Sequence, residues 1–376
     1  MKKFAFKLDG ICDAVLGRVS EIPNGDSNHF RFVGGNVPEL LSRQNPHLSL
    51  YDVPATVLPI KTADNSVLKL NLGDVVLFGP SGTCTIEYES HSYSNSIFLT
   101  EKCNSKCVMC AQPPKTCSDS TPLARALIEL IDSPPDCIGI TGGEPTLAGD
   151  ELLQVLHRCR ERFPTTTIQL LSNARLLRSY EKAEALAGAG GDHLMVCVPL
   201  YCDISKIHDA IVGANGAFWE TVEGIYNLER FNIPVEIRTV VQKLNYRRLP
   251  QWSEFIYRFF PFVSHVAIMG LEPIGLALQN IKSVWIDPLD YACCLDASIK
   301  ILHRGDLKIS LYNHQLCTLP RHLWSFSKKS ISEWKNVFFE ECYKCSEKSN
   351  CAGFFAASSN KWSRGIKAIK LGGENG

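Results

Sequence analysis

Residues Ser96–Pro114 read SIFLTEKCNSKCVMCAQPP: an apolar run of strand type, then Cys103, Cys107 and Cys110 in the spacing C-x3-C-x2-C. A closed tetrahedral metal site takes four protein ligands. Thiolates are the usual ligands of iron–sulfur clusters, and three of them on a four-iron cluster leave one iron without a protein side chain. An open coordination position marks a working metal site rather than a structural one. The loop therefore asks for a small polar ligand, a substrate or cosubstrate, at the fourth corner.

Working outward, SIFLT is the first of six short apolar runs. CIGIT (137–141), TIQLLS (167–172), HLMVCVPL (193–200), IPVEIRTVV (233–241) and HVAIM (265–269) follow, with helical patterns between them. TPLARALIEL begins with Thr121 as an N-cap and Pro122 in the first helical position. In GDELLQVLHRCRERF, Asp150 is placed to cap, and Leu152, Leu156, Cys159 and Phe163 recur at helical steps. FWETVEGIYNLERF and PLDYACCLDASIKIL read the same way. Strands alternating with helices imply a parallel sheet with crossover helices. The fold class is α/β. An open, partial TIM barrel of (βα)6 type is the preferred arrangement, with a doubly wound sheet as the alternative. In either, functional residues gather at the carboxyl ends of the strands. The sequence ITGGEPTL at 140–147, Ser172-Asn173 and Gly270-Leu271-Glu272 all lie at such ends.

The flanks differ from this core. Residues 1–93 carry short Val/Leu/Ile runs broken by Asp-Asn, Gly-Asp, Gly-Pro and Ser-Gly, the signals of a small β-rich domain. Residues 94–312 form the core domain. Residues 313–376 hold a second cysteine group: Cys342, Cys345 and Cys351 in C-x2-C-x5-C, with Cys317 upstream. Four thiolates suit zinc or a closed iron–sulfur cluster.

Lys plus Arg and Asp plus Glu are both 39 in the 376-residue chain. That balance argues against a dedicated nucleic-acid binder. No apolar run reaches the length of a membrane span, and Lys7 and Asp9 interrupt the apolar start, so a cytoplasmic protein is expected. In a reducing compartment clustered cysteines bind metal. Of the 16 cysteines, Cys12, Cys84, Cys137, Cys159, Cys197, Cys202, Cys293 and Cys294 read as small buried hydrophobes. Cys117 lies near enough to the first group to approach it.

Gly142, Gly143, Glu144 and Pro145 add a glycine-lined carboxylate at a strand end, suited to a charged amino group. C-x3-C-x2-C followed by Gly-Gly-Glu-Pro resembles the radical S-adenosylmethionine (SAM) superfamily over about 96–312. The resemblance implies a [4Fe–4S] cluster on Cys103, Cys107 and Cys110, with the open iron chelated by the amino and carboxylate groups of SAM. Reduction then cleaves the sulfonium to methionine and a 5′-deoxyadenosyl radical that abstracts hydrogen from a substrate. It implies Gly142–Pro145 at the methionine amino group and Ser172 and Asn173 at the cosubstrate. Arg238 is implied at the carboxylate and Leu271 at adenine. Outside the resemblance, Arg238 reads as a strand salt bridge and Leu271 as core. Met109 stands where the family has an aromatic residue and can pack its thioether on adenine. Asn173-Ala174 replaces the usual Asn-Gly, and Pro199-Leu200-Tyr201 closes a strand where serine is frequent.

The second cysteine group resembles the shortened auxiliary-cluster region of radical enzymes that modify peptides, implying a second [4Fe–4S] cluster, with zinc as the alternative. QPP after Cys110, GLEPIGLA (270–277), NHQLCTLP (313–320), SISEWK (330–335) and CAGFF (351–355) together resemble the His-Xaa-Ser system radical SAM maturases, C-type. This implies a small ribosomally made peptide as substrate, a partner radical SAM maturase, and an electron donor such as flavodoxin or ferredoxin. Small-molecule or nucleotide (RNA) chemistry is the alternative. A non-catalytic metal protein would not need Gly142–Pro145. His208-Asp209 resembles an acid–base pair but reads better as a helix-start turn. The sequence identifies no general base.

Overall fold

The computed structural model describes residues 2–5, 15–20, 31–33, 71–78, 83–114, 120–329, 336–355 and 363–370. Cys12, Cys117 and the stretch SISEWK lie outside the described residues, as does the side chain of Cys84. Among the described residues, no helix is long and apolar enough to cross a membrane.

Five strands form an antiparallel sheet: β1 (Lys2–Ala5), β2 (Val15–Ser20), β3 (Arg31–Val33), β4 (Val75–Phe78) and β5 (Thr83–Tyr88), in the order β1-β5-β4-β2-β3. The expected β-rich N-terminal region is thus a small antiparallel sheet.

Seven further strands form a parallel sheet: β6 (Asn95–Thr100), β7 (Cys137–Gly142), β8 (Thr167–Leu171), β9 (Leu194–Pro199), β10 (Val235–Val241), β11 (His265–Gly270) and β12 (Ile309–Tyr312). They are ordered by sequence, from β6 at one edge to β12 at the other. Six coincide with the apolar runs. The seventh, β12, was not foreseen, because ISLY is four residues long and offers little alternation. The strand interiors are Val- and Ile-rich, as expected for a sheet covered by helices. Ile97, Ile138, Ile140, Ile168, Val196, Val198, Ile237, Val266 and Ile268 have no exposed surface.

The helices follow the sequence pattern with shifts of one residue at their starts. Helix α1 (Thr121–Leu130) includes Thr121, and Ser120 stands at the N-cap. Helix α2 (Asp150–Arg162) is preceded by Gly149 at φ 57°, so Asp150 opens the helix rather than capping it. Leu152, Leu156, Cys159 and Phe163 are buried, as their spacing requires. Four helices complete the middle of the chain: α3 (Tyr180–Gly190), α4 (Ser205–Val212), α5 (Ala217–Arg230) and α6 (Leu249–Phe259). After β11 come two short turns of helix, α7 (Gly275–Gln279) and α8 (Ile281–Val284), then the long α9 (Pro288–Arg304). Asp287 caps α9 by accepting from the Leu289 N–H at 3.0 Å. Near the C-terminus lie α10 (Glu340–Tyr343) and a two-stranded antiparallel pair, β13 (Asn336–Val337) and β14 (Phe354–Phe355).

By contact density the chain divides into two compact units. One takes residues 1–101, 117–170 and 189–193; the other takes 102–116, 171–188 and 194–376. The Gly142–Pro145 segment belongs to the first unit. The remaining site residues named from the sequence belong to the second.

Candidate metal and cosubstrate site

In the second unit, the Cys103–Cys110 loop is held by backbone hydrogen bonds from distant residues. Lys106 donates to the Val212 carbonyl at 2.8 Å and Val108 to the Ile211 carbonyl at 2.9 Å, so the C-terminal turn of α4 supports one side. Leu276 donates to the Cys110 carbonyl at 2.8 Å, and the Asn280 side-chain amide donates to the Val108 carbonyl at 2.8 Å. Two glycines permit these approaches. At Gly213 (φ +63°) a Cβ would stand 2.5 Å from the Lys106 carbonyl oxygen; at Gly275 (φ +53°) it would stand 2.5 Å from that of Cys110.

Each of the three thiols is partly buried. Burial pushes the Cys107 thiol up to about 12, reinforced by the neighbouring Cys110 and Cys103. Burial also raises Cys110, against a backbone hydrogen bond with Gln112. Thiols so placed ionise at neutral pH only with a cation among them. The donor set therefore fits a cationic iron–sulfur cluster. Among the described residues, no three His, Cys, Asp or Glu side chains converge on a position for a single ion.

Three of the residues named from the sequence pack together. Met109 is buried with Ile211, Ala277 and Val284, and Cys107, Tyr201, Val240 and Leu271 lie against this cluster. Asn173 reaches the same loop: its amide nitrogen donates to Asn104 Oδ1 at 2.7 Å. Ser172 turns inward, and its Oγ accepts from the Ala174 N–H at 3.0 Å. That bond accompanies Ala174 at φ 58°, a left-handed backbone where glycine is strain-free. Arg175, not singled out from the sequence, donates to the Asn104 carbonyl and, at 3.0 Å, to Ser105 Oγ. Glu220 pairs with its Nε at 2.6 Å.

Arg238 sits on β10 and is paired with Glu236, while its Nη2 donates to Cys197 Sγ at 3.2 Å. Glu236 also meets His265 Nδ1 at 2.6 Å, and His265 Nε2 lies 2.9 Å from Ser310 Oγ. The guanidinium thus belongs to a buried polar chain across β9–β12.

In the first unit, Gly142 closes β7 where a Cβ would clash with the Thr100 backbone, and Gly143 N–H donates to the Thr100 carbonyl at 2.7 Å. The first glycine serves strand-to-strand contact as well as any ligand. Glu144 is 1 % exposed; its Oε1 accepts from Thr146 N–H at 3.1 Å and Thr146 Oγ1 at 2.6 Å. Pro145 opens the short turn that follows.

The second cysteine group gathers around one cavity. Cys317, Cys342, Cys345 and Cys351 line it together. The C-terminal segment 363–370 closes on it: Ile369 N–H donates to Cys345 Sγ at 3.3 Å. Burial raises the Cys317 thiol, opposed by a backbone hydrogen bond from Lys367 and assisted by Cys351 and Cys342. Backbone N–H groups aimed at sulfur favour thiolate, and with it a bound metal. A neighbouring cavity shares Gln315 and Phe354 with this site and Leu271 with the first.

Some expectations are adjusted. Cys159, Cys197 and Cys202 are buried, but Cys137 and Cys294 are half-buried and Cys293 is exposed on α9. Burial lowers His208 to about 4, so it is neutral, and its Nδ1 accepts from the Tyr201 N–H at 3.2 Å. Asp209 accepts from the N–H groups of Gly216 (2.6 Å) and Phe218 (2.8 Å) at the start of α5. The pair is therefore structural, but it lies inside α4 rather than in a helix-start turn, and Asp209 caps α5 from there.

Residues 97–256 match the family model of the radical SAM superfamily. The chain is 30% identical over 157 residues to Fe-coproporphyrin III synthase of Methanosarcina barkeri, covering 40% of this chain and 38% of that protein. It is 27% identical over 184 residues to an uncharacterized protein, MJ0907, of Methanocaldococcus jannaschii, covering 46% and 61% respectively. Among solved structures, Streptococcus suis SuiB bound to S-adenosylmethionine aligns with a TM-score of 0.50 at 15% identity, covering 62% of this chain and 53% of SuiB. That likeness shows the TIM-barrel-like α/β fold. The chain spans less than two thirds of the length of each of these relatives.

Proposed function

We propose that this chain, whose residues 97–256 belong to the radical SAM superfamily, is a radical SAM enzyme that modifies a ribosomally made peptide of His-Xaa-Ser type. The carrying observation is the Cys103–Cys110 loop: three partly buried, mutually interacting thiols, of which Cys107 packs with Met109 and Leu271. Bound there, a [4Fe–4S] cluster with SAM supplies reductive cleavage of the sulfonium and a hydrogen-abstracting radical.

The protein's own part is placement. Cys103, Cys107 and Cys110 would hold the cluster through three thiolates. Met109 and Leu271 form an apolar bed for the adenine. Glu144, held by Thr146, accepts from the methionine ammonium. Arg238 would meet the methionine carboxylate only by giving up its pairing with Glu236, and Ser172 and Asn173 would order the strand end that follows β8.

Cys317, Cys342, Cys345 and Cys351 hold a second [4Fe–4S] cluster, supported by their shared cavity and the N–H groups directed at sulfur. The cavity that shares Leu271 with one site and Gln315 with the other receives the peptide. Its walls carry no charged side chain, which suits an uncharged peptide segment. A partner radical SAM maturase and a flavodoxin- or ferredoxin-type donor complete the system, and the enzyme works in the cytoplasm.

A second reading is favoured by the similarity to Fe-coproporphyrin III synthase, whose name denotes a small-molecule product. Co-expression with a short His-Xaa-Ser peptide, followed by mass spectrometry, separates the two. A mass change in the peptide that is absent with Cys107→Ala supports the peptide reading. An unmodified peptide, with SAM still cleaved to 5′-deoxyadenosine by the reduced enzyme, transfers the case to a small molecule.

A further inference from the structure

We propose that Gln242 recognises the 6-amino group of the SAM adenine, an inference that rests on the reading above. Gln242 directly follows β10 and has no exposed surface. Its backbone is fixed on both sides. The N–H donates to Asn245 Oδ1 at 2.9 Å, and the carbonyl accepts from Asn245 N–H at 3.1 Å and Tyr246 N–H at 3.0 Å. Asn245 in turn donates to the Tyr201 carbonyl at 2.9 Å and the Val240 carbonyl at 3.0 Å. The side chain thus starts from a rigid point.

Gln242 Nε2 lies 3.7 Å from Met109 Sδ. A thioether accepts hydrogen bonds and cannot donate them, so the amide nitrogen faces the sulfur and the oxygen is turned away from it. That oxygen, Oε1, is buried with no hydrogen-bond partner among the described residues. Leaving such an acceptor unmet costs about 1–3 kcal/mol, and an exception of this kind calls for a ligand or a trapped water.

The surroundings select the donor. Cys107, Tyr201, Val240 and Leu271 pack on the cluster that contains Met109. Largely apolar surroundings with one unmet carbonyl acceptor suit a flat, neutral heterocycle carrying one edge donor. Adenine offers an amino group there. Hypoxanthine would place a carbonyl oxygen at the same edge and leave both acceptors unsatisfied.

The test uses iron-loaded, anaerobic protein and calorimetric titration with two ligands: SAM, and its purine analogue lacking the 6-amino group. SAM is expected to bind the wild type about tenfold or more tighter than the analogue. In Gln242→Leu the two ligands are expected to bind alike, with iron content unchanged. Equal binding by the wild type overturns the assignment and leaves the SAM reading in place. Failure of the wild type to bind either ligand overturns both. Because Gln242 is fully buried and its variant can misfold, the comparison on the wild type is decisive by itself: only the ligand is altered.

Discussion

The carbonyl oxygen of Cys110 stands 2.5 Å from the position that a Cβ on Gly275 would occupy, and the Ala111 carbonyl oxygen stands 2.6 Å from it. The loop that presents the third cysteine therefore lies directly on the start of α7.

Gly275→Ala is expected to combine left-handed strain with a clash against two backbone carbonyls. The cost is roughly 1–3 kcal/mol, with a loss of iron from the first site. Gly216 provides the comparison: its φ is +76°, but nothing lies within 4 Å of the added Cβ. Gly216→Ala should carry the conformational cost alone and keep its iron. Iron assay and thermal melts of both variants decide; equal iron in the two would remove the loop-clamp argument.

Anaerobic reconstitution should load about eight irons, four per site. Cys342→Ala combined with Cys345→Ala should remove about four and spare the rest. A wild-type count near four, with zinc in the remaining site, would identify the C-terminal group as a zinc centre.

Glu144→Ala should weaken SAM binding by about tenfold or more, the scale of a lost charge-assisted hydrogen bond. Iron loading should hold. If iron and SAM are lost in parallel, Glu144 acts only through its bonds to Thr146.

Asp287 joins two parts of the second unit. It caps α9 and also accepts from Ser363 Oγ at 2.6 Å and Arg364 N–H at 2.9 Å. The segment it fixes delivers Ile369 to Cys345. Asp287→Ala should cost about 1–3 kcal/mol through its stranded buried donors. It should also deplete iron from the C-terminal site while the first site stays loaded. Depletion of neither site would show that the segment holds its place without Asp287.

His208 and His314 are buried, and desolvation lowers each to about 4. The unfolded chain protonates them near 6.5, so between these values the unfolded state binds more protons. Their contribution is complete above pH 6.5 and is lost as pH falls toward 4, up to roughly 3 kcal/mol each. Denaturant titrations from pH 7 to pH 4 should show stability falling, and His314→Gln should flatten the slope. An unchanged slope would place the acid sensitivity elsewhere.

The six principal strands were legible because each pairs an apolar run with a following helical pattern. The two cysteine groups were legible because thiol spacing is local. Residues that act across long separations were not. Asn280 touches Val108 from 172 positions away, and Gln242 touches Met109 from 133. No spacing rule predicts such pairs. Gly213 and Gly275 look like ordinary turn residues until the neighbouring carbonyls are in view. Arg238 was expected at a ligand, and its pairing with Glu236 became visible only with the strand in place.

The dependence of the Cys103–Cys110 loop on Gly275, Leu276 and Asn280 sets an order of events during synthesis. When the three cysteines leave the ribosome, their clamp is still more than 150 residues from being translated. Iron delivered to the nascent chain would meet a loop propped on one side at most. Insertion of a cluster at the first site would therefore follow synthesis of residues 275–280, and a C-terminal centre, which would need Ile369, would be completed later still.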